Sequence, residues 1–345
     1  MNARKDQHLM SSATDKQPAR RPYFSIIILC WNTNQYLSAC LHSLHDQTCK
    51  DFEISLVDNG SPEPVSQSII AEFCDLSIKF YQLQDNLGFA AGNNFAAAHA
   101  RGEFLVLLNA DAFPAPGWLE TIRNAIPKYP HCFFASKLIM ANQPQKLDGE
   151  GDVYHISGLV WRKSYNTLAS KSNQKEGEVF SACGAAAVFP REAFELVNGF
   201  DADYFAYLED VDLGFRLRLA GYKCIYLPGA VVSHVGFGST NRRSDLAVYY
   251  SHRNIIWTFF KDMPGLFLWI LFPLHMLVNL LTAITAISKK RGLIAIRAKF
   301  DAFKDLSRIL QKRKAIQSLR KISSLQLVKY MNWNLFSPVV RFLQK

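Results

Sequence analysis

The sequence lacks the devices by which a chain ties itself together through disulfides or zinc. Its 7 cysteines (30, 40, 49, 74, 132, 183, 224) are odd in number, scattered, and never spaced C-x-x-C. That excludes a disulfide framework, a zinc ribbon and a thioredoxin-type centre, and the thiols read as reduced and mostly buried, in a cytosolic compartment. Residues 1–22 carry no apolar run ahead of Arg20-Arg21-Pro22, so they read as a disordered tail and not as a secretory leader. The first strand-to-helix turn has no G-x-G-x-x-G, and a Walker A lysine is missing, which argues against a dehydrogenase and a P-loop enzyme. Internal repeats and low-complexity tracts are absent. With 345 residues, 49% apolar and 20% charged, the chain has material for one catalytic domain and an appendage, and is not wholly disordered.

The net charge of +10 is unevenly placed. Residues 289–345 hold 15 Lys+Arg and 2 Asp+Glu, a net of +13, while the rest of the chain is at −3. A basic tail seeks a polyanion, either nucleic acid or an anionic membrane surface. Between Asp262 and Lys289 lie 26 residues without formal charge, which selects the membrane and argues against nucleic acid. As a straight helix they would reach roughly 39 Å against a hydrocarbon core of about 30 Å. One crossing would carry the basic tail outside, against the positive-inside tendency. The expectation is therefore a re-entrant hairpin broken near Pro273, or a helix lying in the interface; a buried core helix is the alternative. Beyond it, Ile296, Phe300, Phe303 and Leu310 recur at helical spacing among Arg297, Lys299, Lys304 and Arg308, an interfacial amphipathic pattern. The plainer reading is a helix packed on its own domain with a solvated basic face.

The first ninety residues of the ordered part alternate. The apolar, β-branched run at 24–30 reads as a buried parallel strand, 52–57, 78–83 and 103–108 as further strands, and 36–47, 65–73 and 89–100 as the helices between them. This predicts an α/β fold with a doubly wound, mostly parallel sheet and helices on both faces. Ligands in such sheets bind beyond the carboxyl ends of the strands, where Asn32, Asp58, Asn86 and Asp111 each stand. Residues 141–180 are polar and irregular and should build the second half of a cleft. A division follows: tail 1–22, catalytic domain 23–255, and a helical membrane-associated region 256–345.

Five segments stand in an order and spacing that resembles the family 2 inverting glycosyltransferases: Ser25–Asn32, Val57–Ser61, Asn86–Asn94, Leu107–Asp111 and Glu209–Gly214. The rhamnosyltransferase-like enzymes of bacterial surface polysaccharides look most similar. The resemblance covers about residues 24–255 and implies a GT-A fold and a nucleotide-diphosphate sugar donor. Such chemistry needs counter-charge on the leaving phosphates and a base for the incoming hydroxyl. Asp111 matches the last Asp of the family's D-x-D and so implies a ligand for Mg²⁺ or Mn²⁺. Asn109 replaces the first Asp and is assigned to ribose or water. His234 is carried over as a second metal ligand, although a lone His is more often structural.

Asp58 matches the family's nucleobase or ribose aspartate, and Asp-Asn-Gly-Ser is also a strong Asx-turn. Asn32, Asn86, Gly88, Asn93 and Ser239 complete the implied nucleotide-sugar contacts, and Arg242 and Arg243 could pair with phosphates. In Glu209-Asp210-Val-Asp212, helix capping alone would explain Asp212. The resemblance implies that Asp210 is the general base, with Glu209 orienting it or touching the acceptor. Trp118, Trp161, Tyr204, Phe205 and Tyr207 are candidate sugar-stacking surfaces or plain core. Cys183–Ala187 resembles the family segment bordering the acceptor. The implied activity is transfer of a sugar, plausibly rhamnose from dTDP-rhamnose, to a lipid-linked saccharide at the cytoplasmic face of the bacterial inner membrane. The alternatives are a UDP-hexose donor, or a catalytically inactive glycan-binding or scaffold protein.

Overall fold

The computed structural model describes residues 21–236, 244–288 and 290–338. The expected disordered tail lies almost wholly outside them. Strand β1 (Phe24–Cys30) alternates as a doubly covered strand must, with Ile26 and Ile28 in one core and Ile27 in the other. The chain continues as α1 (Asn34–His45), β2 (Phe52–Asn59), α2 (Gln67–Ala71), β3 (Ile78–Leu83), α3 (Gly88–His99) and β4 (Phe104–Leu108). Strands β3, β2, β1 and β4 lie side by side, all parallel.

The second half departs from the simple alternation. It comprises β5 (Ala112–Pro114), α4 (Trp118–Ala125), β6 (Cys132–Met140), β7 (Gln143–Gly149), β8 (Asp152–Tyr154), β9 (Val160–Arg162), β10 (Gly177–Val179), β11 (Ala186–Pro190), α5 (Arg191–Leu196), α6 (Glu209–Leu219) and β12 (Lys223–His234). The sheet runs on from β4 through β11, β6, β12 and β10. β11 is antiparallel to both neighbours, whereas β12 and β6 are parallel. The irregular stretch 141–180 forms short strands, of which β8 and β9 make a separate two-stranded sheet, with Asp152 of β8 also bridging to Ser181. Helices α1 and α4 cover one face of the sheet and α3, α5 and α6 the other.

Helix α6 is buried all round; ten of its eleven residues are inaccessible. Leu213 and Leu217 face the sheet, and Val211, Phe215 and Leu219 face a third core. That core is supplied by α7 (Asp245–Asp262), α8 (Phe267–Ser288), α9 (Gly292–Lys304), α10 (Leu306–Ser318) and α11 (Ser324–Val328). A division after residue 255 therefore falls inside α7. Ion pairs reinforce the join. Asp212, fully buried, accepts from Arg216 Nε at 2.8 Å and pairs with Lys261, which also meets Asp201 at 2.7 Å.

Helix α8 passes through Pro273 unbroken, so the expected break there does not occur. The cooperative gain of a 22-residue helix outweighs one missing i→i−4 bond. Phe267–Ile287 is long and apolar enough to cross a membrane, with mean hydropathy 2.0, yet it lies mostly unburied on the surface. The apolar positions of α9 and α10 also face outward, with Ile296, Phe300, Phe303 and Leu310 all exposed. Phe303 still meets the core edge-on at Phe260, with ring centroids 6.2 Å apart.

Removing one partner of a buried ion pair leaves the other charge stranded, at a cost of about 3–5 kcal/mol. Asp212→Ala should lose that much in urea unfolding, because Lys261 and Arg216 remain buried. A loss under about 1 kcal/mol, the level of exposed pairs, would contradict the role given to this cluster.

Candidate active site

The loops at the carboxyl ends of β1–β4 share one edge. Asn32 adopts a left-handed φ of 54°, and its N–H donates to Ser61 Oγ at 3.1 Å. Asp58 is fully buried, and its two oxygens accept from Ser61 N and Val65 N at 3.0 and 2.9 Å. Its carboxylate therefore builds the turn that the Asp-Asn-Gly-Ser sequence calls for. Asn86 Oδ1 accepts from Asn59 Nδ2 at 2.9 Å and from Gly88 N at 2.8 Å. Gly88 has φ +81°, and a Cβ there would fall 2.5 Å from the Phe205 ring. Its smallness serves packing against the loop before α6. Asn93 is buried within α3 and donates to the Phe89 carbonyl at 2.8 Å. Asn109 is half-buried, its N–H on Ala185 O at 3.0 Å. These residues frame the edge, but Asp58, Asn86 and Asn93 spend their side-chain bonds on their own loops and helix.

The chemistry-bearing groups form a connected polar chain. His234, at the end of β12, is buried; its Nδ1 lies 2.7 Å from Asp148 Oδ2 and its Nε2 3.4 Å from Asp111 Oδ1. Burial disfavours the imidazolium, but the carboxylates of Asp111 and Asp148 prevail and raise its pKa. Arg162 bonds Asp148 from the other side. Burial works against the Asp148 anion, yet Arg162 and His234 hold its pKa down to about 2. Arg162 in turn feels the charges of Asp152 and Asp210. Asp111, His234, Asp148 and Arg162 are thus linked by contacts in one run, and Asp152 and Asp210 lie within the field of Arg162. Asp148, Asp152 and Arg162 were missed from sequence; they sit in a stretch recognisable only as irregular and polar, and no spacing marked them.

Two groups on that run suit a cation. With Nδ1 engaged by Asp148, His234 Nε2 is buried without a hydrogen-bond partner and faces Asp111, the arrangement in which a carboxylate orients a ligating imidazole. Octahedral ligands about 2.1 Å from an ion such as Mg²⁺ lie about 3 Å apart, close to the spacing found. Among the described residues no three His, Cys, Asp or Glu side chains form a complete cage. That is the condition of an ion held by one or two protein ligands and by substrate phosphates.

Asp210 opens α6. Its Oδ2 accepts from Gly184 N at 2.9 Å and its Oδ1 from Val211 N at 2.8 Å. Burial raises its pKa against the pull of those N–H groups and of Arg162. Burial and then the charge of Asp210 push Asp152 up to about 8. Burial and Asp210 likewise push Glu209 well above the carboxylate range, and Glu209 Oε2 has no hydrogen-bond partner. Asp212 turns away into the ion-pair cluster behind the helix. The cluster of three acids is therefore divided, with two at the site and one in the support.

The loop before α6 is strained. Phe205, Tyr207 and Leu208 have φ of 62°, 69° and 67°, left-handed values that cost non-glycine residues about 1–3 kcal/mol each. Asn254, fully buried on α7, holds them there: Nδ2 lies 3.1, 3.0 and 2.7 Å from the carbonyl oxygens of Tyr204, Ala206 and Tyr207.

Several aromatic candidates are core. Trp118 is fully buried with Nε1 on Ser136 Oγ at 2.9 Å, and Tyr204 is buried with its hydroxyl 2.9 Å from Thr258. Each polar tip already has its partner, so neither offers a stacking face. Phe205 stacks on Tyr250, with centroids 5.1 Å apart, while Trp161 and Tyr207 are half-buried. Ala186 and Ala187 are buried strand residues of β11, so only Gly184 of the small-residue segment meets Asp210. Ser239, Arg242 and Arg243 lie outside the described residues.

The family model described as glycosyl transferase family 2 matches residues 25–197. The chain belongs to glycosyl transferase family 2. Among curated relatives of this family 2 chain, the N-acetylglucosaminyl-diphospho-decaprenol L-rhamnosyltransferase of Mycobacterium tuberculosis is 27% identical over 250 residues, covering 65% of this chain and 80% of that protein. The likeness is rhamnosyltransferase-like, as the motifs implied. Solved structures share the GT-A fold. The mannosyltransferase PcManGT of Pyrobaculum calidifontis, in complex with GDP-Man and Mn²⁺, superposes with TM-score 0.53 at 17% identity over 91% of this chain and 89% of that one. S. aureus TarS 1–349, in complex with UDP-GlcNAc, gives 0.54 at 17% identity over 89% of each chain.

The pKa directions predict a bell-shaped rate profile. For Asp210 to serve as the base that the family resemblance implies it must be ionised, and activity would then rise with pH through its raised pKa. Ionisation of Asp152 near 8 adds a negative charge that repels the donor phosphates, so activity then falls. Asp152→Asn should remove the alkaline limb and keep the acid one; an unchanged alkaline limb would contradict this coupling. Asn254→Ala should lower kcat more than tenfold with donor KM within about twofold, as expected when a catalytic group shifts by an ångström. Equal kcat in the two proteins would show that the loop holds itself.

Proposed function

We propose that this family 2 glycosyltransferase works by inversion, depends on a divalent cation, and moves a sugar from a nucleotide-diphosphate donor to a lipid-linked saccharide in bacterial surface polysaccharide synthesis. Rhamnose from dTDP-rhamnose is the proposed donor group, supported by the likeness to the mycobacterial rhamnosyltransferase. The observation that supports the mechanism is the contact run from Asp111 through His234 and Asp148 to Arg162, whose charge reaches Asp210. Asp111 and His234 would hold Mg²⁺ or Mn²⁺, which when bound supplies the counter-charge for the leaving diphosphate. The nucleoside lies over the edge that Asn32, Asn109 and the Asp58 turn shape. Asp210 takes the acceptor hydroxyl's proton while its N–H partners and Arg162 keep the carboxylate ionised beforehand. The hydroxyl oxygen forms its bond to the anomeric carbon from the face opposite the diphosphate. The carbon–oxygen bond to the diphosphate breaks, and the diphosphate leaves with the electron pair. Glu209, whose pKa is raised by burial and by the charge of Asp210, would donate to an acceptor oxygen in its protonated form.

The reading places the catalytic part at the cytoplasmic face of the inner membrane, with α8 and α9 lying on an anionic surface. Trp269 (66% exposed), Leu293 (86%) and Phe300 (69%) are outward apolar residues of α8 and α9, and Lys290 and Arg297 are exposed close by in the chain. An apolar face with a basic rim is the pattern of an interfacial helix pair, and it explains why a lipid-linked acceptor would be met there.

Asp210→Asn should cut kcat by roughly 10²–10⁴-fold, the usual contribution of a general base, and leave donor binding intact; lost donor affinity with normal turnover would refute the assignment. EDTA should abolish transfer and Mn²⁺ restore it, and full activity in EDTA would remove the cation from the account. Release of dTDP or UDP across a panel of nucleotide sugars identifies the donor.

A further inference from the structure

Outside the catalytic run, α7, α8 and α9 enclose a second polar cluster. Its bonds have one direction. His275 Nδ1 lies 2.8 Å from the Ser157 carbonyl oxygen, so Nδ1 carries the proton and donates it. Nε2 is then the acceptor for Asn279 Nδ2 at 3.0 Å, and Asn279 Oδ1 accepts from Lys299 Nζ at 2.5 Å. The chain of bonds is rigidly seated. The His275 ring stacks on Phe259 with centroids 3.9 Å apart. It also presses on Gly158 (φ +85°), where a Cβ would meet Nδ1 at 2.6 Å.

The chain of bonds ends in an ammonium that has two further N–H donors. Among the described residues Lys299 makes no ion pair, and its charge is felt by His252 on α7 as well as by His275. Asp301, the acid on the same helix, is engaged by the Tyr249 hydroxyl at 2.8 Å and by Arg297 at 3.8 Å. Burial lowers Lys299 to about 8; burial and the Lys299 charge hold His252 down at about 4. A half-buried ammonium that has no carboxylate partner among the described residues, and whose charge also weighs on a neighbouring imidazole, would be stabilised by an anion. Lys299 is half-buried and lies one turn from the outward apolar residues Ile296 and Phe303, so an anion reaching it comes attached to apolar material.

We propose that Lys299, fixed by the His275–Asn279 pair and joined by His252, is a binding site for a lipid-borne phosphate at the edge of the apolar face. The proposal rests on the membrane reading above. The phosphate could belong to an anionic bilayer lipid or to the phosphate linkage of the lipid-borne acceptor; the chemistry is the same, a phosphate ester on an apolar tail.

The test uses the full chain in flotation with three vesicle types: phosphatidylcholine alone, phosphatidylcholine with phosphatidylglycerol, and phosphatidylcholine with a polyprenyl diphosphate. Lys299→Gln should lose about tenfold or more of the preference for phosphate-bearing vesicles, as for a lost hydrogen bond to a charged group. Exposed Lys304→Gln should lose about fivefold, the effect of one basic residue near an anionic surface, and Lys299→Arg should retain binding. Loss confined to the polyprenyl diphosphate vesicles supports the acceptor as source, and loss on the phosphatidylglycerol vesicles supports the bilayer lipid. A loss for Lys299→Gln no larger than for Lys304→Gln on both overturns the site. A wild-type protein that floats with none of the three overturns the membrane reading and the site with it. Unchanged thermal melting of Lys299→Gln shows that the fold is intact.

Discussion

An ionised carboxylate inside a protein must be matched by a cation or by N–H donors, and that requirement organises this molecule around α6. Asp210 at its first turn is matched by two backbone N–H groups and the field of Arg162. Asp212, two residues on, is matched by Arg216 and by Lys261 of α7. One helix therefore carries the reactive acid forward and a structural ion pair behind. The two cannot be exchanged, since successive helical positions project about 100° apart. Helix α7 supports the same segment from behind, because Lys261 pairs with Asp212 and Asn254 bonds the loop before α6.

The first half of the sheet was legible in the sequence because its cues are local. Continuous β-branched runs mark doubly buried strands, and the strand at 78–83 falls where it was expected. The places of Asp111 just after a strand and of Asp210 at a helix start were legible because β4 and α6 have local cues, while the roles given to them came from the family resemblance. Asp148, Asp152 and Arg162 were not. They come from short strands whose pairing is set by β6 and by each other, and nothing in their spacing reports that His234 will lie between Asp148 and Asp111.

The turn residues show a different limit. Asp58, Asn86 and Gly88 were expected to touch the donor, and each is occupied in shaping a loop. Residue types that favour left-handed or tightly bonded turns are also those that bind ligands, so sequence alone does not separate the two uses. Pro273 misled for a related reason. A proline is a strong local signal against helix, but here it is outvoted by the apolar helix around it.

The central claim is that leaving-group stabilisation and proton removal share one connected polar run. A crystal structure of the full chain with Mn²⁺ and a nucleoside diphosphate tests it most directly. The account predicts the ion between Asp111 and His234, the diphosphate resting on it, and Asp210 open to the space beside the departing group. An ion bound elsewhere, or a nucleotide seated on another edge of the sheet, would contradict it.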